Sequence, residues 1–370
     1  MTRTILYSSR AFIPSRKANS IHIMKMCSAF ADNGCIPILL CHYDESQKEF
    51  DIKEYYGLSN RVKIIRIPNF NFRFSNYLVA LFHLYYYLKY KPSYVFGRFF
   101  LGVYFISFFS NRVSLELHQP LTGGANIQNF LAKNLFKKKS FKNLIVISNP
   151  LRNIFKKIYK ISTSKIKVFS DAADNPSFFL KNKFSKHSKF NVGYVGHLYH
   201  GRGIDLILEL AKELPQMFFH IAGGNEADIS RVRNESKNLK NVKIYGFITP
   251  NNTEKFRQKM NVLLAPYQFK VGLDSGSMTT EKWMSPLKIF EYMASGRVII
   301  CSDIPVLREV LVNNYNCILC HPKKVFEWKK SILSVYENKD LFDKLSYNSR
   351  FDFLESYSWK SRAESILKIL

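Results

Sequence analysis

The feature that most limits the fold is an alternation of apolar runs and amphipathic stretches that is broken once and then restarts. In the first half, TILYSS, CIPILLCH, VKIIRIP, SYVFG, VSLELH and NLIVIS read as buried strands. Helical patterns lie between them over 19–33, 74–90, 99–110 and 126–138. After the polar basic connection KNKFSKHSK, 181–189, the alternation resumes with FNVGYVG, MFFHIAGG, NVKIYGF, VLLAP, RVIICS and NCILCH. Parallel strands need a crossover between them, and a helix supplies it. The pattern predicts an α/β protein of two Rossmann-like domains whose parallel sheets face across a cleft. A length of 370 residues suits two domains. We set the boundary at 165/166.

Composition narrows the setting. No apolar run is long enough to span a bilayer, and the start MTRTILYSSRAF lacks the apolar core of a signal peptide. The expected location is cytoplasmic. Six cysteines scattered through apolar runs suit reduced, buried thiols. Cys317-Ile-Leu-Cys320-His321 has the form of a haem attachment site, but its alternation reads as a strand and no export signal accompanies it. The net charge is +27, and it is uneven: residues 1–165 hold 25 Lys and Arg against 7 Asp and Glu, a net of +18. Such a domain implies an anionic partner, whether nucleic acid, an acidic membrane surface or a phosphorylated substrate.

Ligands of open parallel sheets bind beyond the carboxyl ends of the strands. One such end leads into Gly196-His197-Leu198-Tyr199-His200-Gly201-Arg202-Gly203 and then a helix over 203–213. A glycine loop at a helix N-terminus binds anions through its backbone N–H groups, and Arg202 adds charge. A second strand end carries Gly223-Gly224. A third precedes a polar loop and the stretch SPLKIFEYMASGR, 285–297. There Lys288 and Glu291 lie three residues apart on one helix face. They form either a solvated ion pair or part of a ligand site. A carboxylate suits the paired hydroxyls of ribose, and Lys288 with Arg202 suits a diphosphate. Together they imply a nucleoside diphosphate.

Those residues carry a resemblance. SPLKIFEYMASGRVIICSDIPVLREVL, 285–311, is similar to the nucleotide-sugar signature of the family 4 glycosyltransferases of the GT-B fold. YVGHLYHGRGIDLILELAKELPQMFFHIAGG, 194–224, resembles their phosphate loop and following helix. VISNPL, 146–151, and KVFSDAAD, 167–174, resemble the end of the first domain and its crossover. KANSIHIMKMCSAFADNGC, 17–35, resembles the first helix of the bacterial surface-polysaccharide members. SYSWKSRAESILKIL resembles their terminal helix, so that 351–370 is expected to cross back from a second domain, 166–350, to the first. The resemblance implies donor binding by Gly196, His197, Arg202, Gly203, Gly224, Pro286, Leu287, Lys288 and Glu291. It implies catalytic roles for His118, Arg202 and Lys288, and acceptor contacts from Asn19, Ser20 and His22. One departure stands out. The acid expected eight residues before Glu291 is Trp283 here, with Glu281 and Asp274 as the nearby carboxylates.

The implied reaction moves a sugar from a nucleoside-diphosphate donor to a glycan or lipid-linked acceptor. It retains configuration and uses no metal and no cofactor beyond the co-substrate. Arg202, Lys288 and the loop amides would stabilise charge on the leaving diphosphate. The Phe- and Tyr-rich segment 70–110 and Lys137-Lys138-Lys139 suit an anionic membrane surface, at the inner face of the cell membrane. They also suit a core with solvated lysines. Two competing classes are a basic nucleic-acid-binding protein and another GT-B enzyme, a nucleotide-sugar epimerase. No nucleic-acid-binding module is visible in the pattern. An epimerase needs acid–base carboxylates in both domains, and the first-domain strand ends offer only Glu116.

Overall fold

The computed structural model describes residues 3–15, 17–43, 51–58, 62–121, 126–182, 184, 189–199, 201–270 and 280–370. The chain forms two compact units, Met1–Asp171 with Trp359–Leu370, and Ala172–Ser358.

The first unit is built on a seven-stranded parallel sheet. Its strands are β1 (Thr4–Ile13), β2 (Ile36–Tyr43), β3 (Lys63–Ile67), β4 (Tyr94–Gly97), β5 (Val113–Leu117), β6 (Phe141–Val146) and β7 (Ile166–Val168). They run in the order β3-β2-β1-β4-β5-β6-β7. The strand order therefore reverses between β1 and β4, where Ser8 pairs with Gly97 at the carboxyl edge. Every residue of β5 is buried, as expected of a strand covered on both faces. β7 goes beyond the six strands expected here, since three residues are too few to show a period.

The second unit holds six parallel strands in the order β10-β9-β8-β11-β12-β13. They are β8 (Asn191–Val195), β9 (Phe218–Ala222), β10 (Val242–Gly246), β11 (Val262–Ala265), β12 (Val298–Ser302) and β13 (Ile318–Cys320). This is the doubly wound dinucleotide-fold order, with its reversal between β8 and β11. The fold class expected from the alternation is the one observed, α/β with two parallel sheets. All six cysteines are free thiols in buried positions. Cys317 and Cys320 lie at β13 with both side chains buried, and the Cys320 sulfur sits 3.2 Å from the Ser331 hydroxyl.

The helix Lys339–Ser356 belongs to the second unit, and the last helix, Trp359–Leu367, belongs to the first. Three residues beyond Ser356 are enough to change units. Asn33 Nδ2 donates to the Lys360 carbonyl at 3.2 Å, and Asn143 Nδ2 donates to the Ile369 carbonyl at 2.7 Å. The terminal helix thus caps the Ala18–Asp32 helix and reaches β6.

Candidate active site

In the second unit the site is assembled at the β8/β11 reversal. β8 ends at Val195, and Gly196 follows with φ +149°. A Cβ on Gly196 would lie 2.8 Å from the Lys288 ammonium, so the loop backbone and that cation are in direct apposition. Gly203 has φ +75° and caps the Ile204–Glu213 helix; a Cβ there would strike the Pro266 carbonyl oxygen. Both positions demand glycine. Gly224 lies at the end of β9, over Leu198. Across the loop from β8, Gly201, Gly203, Leu206, Gln268 and Lys323 help to line a cavity of about 490 Å³. Neither Lys288 nor Glu291 lines it.

Lys288 is delivered by the helix Leu287–Ser295, with Pro286 at its N-terminus and Gly296 closing it in the left-handed conformation. Ile289, Phe290, Tyr292 and Met293 are buried in the core of the unit. Each such side chain contributes about 1.5–3 kcal/mol of burial. Tyr292 fixes the register. Its hydroxyl accepts from the Val195 N–H at 2.9 Å and donates to the Leu264 carbonyl at 3.3 Å. Lys288, one turn earlier, is thereby held at the end of β8.

The Lys288 ammonium lies 3.8 Å from the centre of the Tyr194 ring and 5.2 Å from that of Tyr267. It forms no ion pair and no hydrogen bond among the described residues. Burial, then the neighbouring Arg202, hold its pKa well below the usual lysine value. Arg202 stacks at 4.8 Å over Tyr199 and donates to the Tyr199 hydroxyl at 2.6 Å, while its Nε is buried without a partner. Two basic side chains therefore share a tyrosine-lined corner, and among the described residues no carboxylate bonds either of them. His197 is exposed and stacks on Tyr199.

Glu291 does not pair with Lys288. Its Oε2 accepts from Arg257 Nη1 at 3.2 Å, and the side chain keeps 34% of its exposure. The surface-pair reading of these two residues is therefore replaced by an Arg257–Glu291 pair and an unpaired Lys288. Trp283 occupies the position of the expected acid, and Glu281 lies two residues before it; Asp274 lies outside the described residues.

In the first unit a polar cluster lies at the carboxyl end of β5. Glu116 is fully buried, and its Oε1 receives Arg362 Nη2 at 2.6 Å and His118 Nε2 at 2.9 Å, with His22 Nε2 3.1 Å away. His22 Nδ1 meets Asp171 at 2.8 Å. The rings of His22 and His118 meet edge to face at 4.5 Å, and Trp359 abuts His22 at 5.1 Å. The ligand-type atoms of His22, His118 and Asp171 lie within 4.8 Å of one another. Within the cluster His22 Nδ1 bonds Asp171 and His118 Nε2 bonds Glu116, with the Arg362 guanidinium alongside, while Glu116 Oε2 is buried without a hydrogen-bond partner among the described residues.

The expected acceptor residues separate here. Asn19 is exposed. Ser20 is buried, and its hydroxyl donates to the Ser15 and Lys17 carbonyls while accepting from Tyr56. His22 is buried within the cluster rather than open to an acceptor. Both belong to the scaffold of the site. Sequence reasoning missed Asp171 and Arg362, which are remote in the chain, and Arg257, Tyr194, Tyr267 and Tyr292. The tyrosines stand at strand ends or on the helix of Lys288, and that placement was the available signal.

Comparison with known proteins bears on this geometry. Residues 177–351 match the family described as "Glycosyl transferases group 1". The matched segment lies within the second unit. An uncharacterized glycosyltransferase of Methanocaldococcus jannaschii is 26% identical over 196 residues, 51% of this chain and 46% of that protein. The chain spans about half the length of the curated relatives it matches. Over the whole chain the fold is of the GT-B type. A glycosyltransferase from Rickettsia africae ESF-5 superposes with a TM-score of 0.75 at 15% identity, over 100% of this chain and 97% of that one. Anabaena Alr3699/HepE in complex with UDP-glucose superposes with a TM-score of 0.70 at 14% identity, over 99% and 98%. The matched segment includes every residue of the Lys288 corner.

Proposed function

We propose that this protein transfers a sugar from a nucleoside diphosphate to a hydroxyl of a glycan or lipid-linked acceptor. The observation that carries the reading is the unpaired Lys288 ammonium against the Gly196 loop, with Arg202 beside it. Two buried basic groups that no carboxylate bonds among the described residues make a strong anion site, and a diphosphate would favour the charged form of Lys288 and match that of Arg202. Glu291, still partly exposed, accepts hydrogen bonds from ribose hydroxyls. Gly196, His197, Gly203, Gly224, Pro286 and Leu287 form the walls. His118 serves as a sugar-contacting residue of the first unit, and transfer proceeds with retention. Anabaena Alr3699/HepE, of like fold, is known with UDP-glucose bound, which favours a UDP-hexose as the first donor to test. Arg202 and Lys288 stabilise the leaving diphosphate in place of a divalent metal.

The acceptor carries an anionic group, and the first unit binds it. Arg10 follows the Ser8 edge of β1 and Arg98 follows the Gly97 edge of β4. Arg10 donates to His42 and Asn76 and lies over Phe99; neither arginine forms an ion pair among the described residues. Asn19 is the exposed contact nearby in sequence. Association with an anionic membrane face at the inner surface of the cell is part of the same reading. Phe74, Tyr77, Leu81, Tyr85 and Leu88 form an exposed stripe at helical spacing, and Lys138 lies over the exposed Phe108. Among the described residues no helix is long and apolar enough to cross a membrane. Such an enzyme would serve surface polysaccharide or glycoconjugate synthesis.

The deciding experiment is nucleotide release from a panel of UDP- and GDP-sugars, run with the wild type and Lys288→Ala. Release that depends on Lys288 supports the reading. A wild type that neither binds nor turns over any nucleotide sugar overturns it.

A further inference from the structure

A histidine beside a sugar either donates or accepts a hydrogen bond, and its tautomer decides which. In this protein the choice rests with Glu116. Burial alone would raise its carboxyl pKa, but Arg362 and His22, with the hydrogen bond from His118, hold it well below the ordinary value. The carboxylate is therefore ionised and can only accept. At 2.9 Å from it, His118 Nε2 carries the proton. Burial and the nearby Arg98 bring the His118 pKa down to about 4, so at neutral pH the ring has one proton and Nδ1 has none. Nδ1 makes no bond to the described residues. His118 keeps 15% of its exposure, while Glu116 keeps none and His22 keeps 2%. It is the histidine of this cluster that a ligand can reach.

We propose, on the glycosyl-transfer reading, that Glu116 and Arg362 are positioning residues for His118: they fix its Nε2–H tautomer and leave Nδ1 as the acceptor for a sugar hydroxyl that reaches the first unit's cluster. Arg362 is held in one pose. Its Nε donates to the Ser170 carbonyl at 2.7 Å, Nη2 also donates to the Phe169 carbonyl at 3.2 Å, and Nη1 meets Met26 Sδ at 3.1 Å. The terminal helix, last in the chain, is thus a working part of the first unit's site. A lysine would keep the charge but lose the fork that reaches Glu116, Ser170, Phe169 and Met26 at once.

The test uses full-length protein labelled with nitrogen-15 at histidine. Two-bond couplings report each ring's tautomer, and the His118 signal is assigned by its loss in His118→Asn. The wild type is expected to show the Nε2–H form between about pH 6 and 8. Glu116→Gln, whose amide donates as well as accepts, mixes the tautomers. Arg362→Met does the same by removing the charge that keeps Glu116 ionised, and Arg362→Lys restores part of the wild-type signal. Should Glu116→Gln fail to fold, the two Arg362 variants carry the test. In turnover, Arg362→Met lowers kcat about tenfold, the worth of one hydrogen bond made in the transition state, with donor KM nearly unchanged. An Nδ1–H form or an imidazolium in the wild type at neutral pH overturns the proposal. So does a wild-type tautomer and kcat per folded molecule in Arg362→Met. If no nucleotide sugar is turned over yet the tautomer still depends on Glu116 and Arg362, the glycosyl-transfer reading falls and the positioning network stands.

Discussion

Glu291 and Lys288 share one face of a helix, yet the Glu291 carboxylate bonds Arg257 at 3.2 Å and the Lys288 ammonium rests on the Tyr194 ring at 3.8 Å. The acid is neutralised by a neighbouring helix and the base is left without an anion. That division separates what each residue contributes to stability from what it contributes to binding.

Lys288→Met is expected to weaken binding without lowering stability. The folded pKa of Lys288 lies below its unfolded value, chiefly through burial, so the unfolded chain holds more protons and stability rises with pH through that interval. The variant loses this pH dependence on the alkaline side and melts no lower than wild type. Its affinity for a nucleoside diphosphate falls by about one to two orders of magnitude, the loss of a charged hydrogen bond worth roughly 1.5–3 kcal/mol. Calorimetric titration with UDP beside melting curves from neutral to alkaline pH reads both effects. Unchanged UDP affinity counts against the assignment.

Glu291→Gln breaks a pair that is one-third exposed, so its stability cost is under about 1 kcal/mol. Donor affinity falls by at least about tenfold if ribose hydroxyls bond the carboxylate. Arg257→Met separates the two roles: it frees Glu291 and leaves ribose binding in place. Nucleotide affinities of the two variants that fall together would mean that the Arg257 pair, and not the carboxylate itself, matters.

The first unit is expected to fail in acid. Glu116 and Asp171 have folded pKa values below their ordinary ones, because Arg362, His22 and His118 outweigh burial. Their contribution is present above the unfolded carboxylate values and is lost as pH falls through the folded ones. His118 faces Glu116, His22, Asp171 and Arg98, and its folded pKa is about 4, below its ordinary 6.5. Stability from its neutral form is complete above the ordinary value and declines as pH falls toward about 4. Urea midpoints should therefore drop below about pH 6.5, with Arg362→Met about 3–5 kcal/mol less stable at neutral pH. A midpoint independent of pH from neutral to acid would contradict the network.

Turnover is expected to survive EDTA if, as proposed, Arg202 and Lys288 offset the diphosphate charge. Loss of the chemical step in chelator, restored by manganese or magnesium, would reverse that expectation.

Membrane association is expected to depend on charge. Lys137, Lys138 and Lys139 changed together to Glu should reduce flotation with anionic vesicles, as should raised salt. Leu81→Asp, on the exposed stripe, should reduce flotation at low salt as well. Flotation unaffected by all three conditions would remove the membrane from the proposed function.

Much of this protein was decided by the order of residues alone. Alternating apolar runs separated by helix-length stretches leave few options besides a parallel sheet, and a second such series gives a second sheet. The glycine loop at 196–203 and the Lys288 helix were legible because backbone conformation and helical spacing are local properties. Tertiary structure decided the partners. Whether Lys288 met Glu291 depended on how the Leu287–Ser295 helix was rolled, which Tyr292 fixes through the backbone of two strands. Ser20 and His22 looked free to meet a ligand and are instead held inside. The cluster on Glu116 joins residues 22, 118, 171 and 362, too far apart in the chain for any local pattern to relate them. A buried carboxylate must find its counter-charges wherever folding brings them, and here part of that charge comes from the last helix.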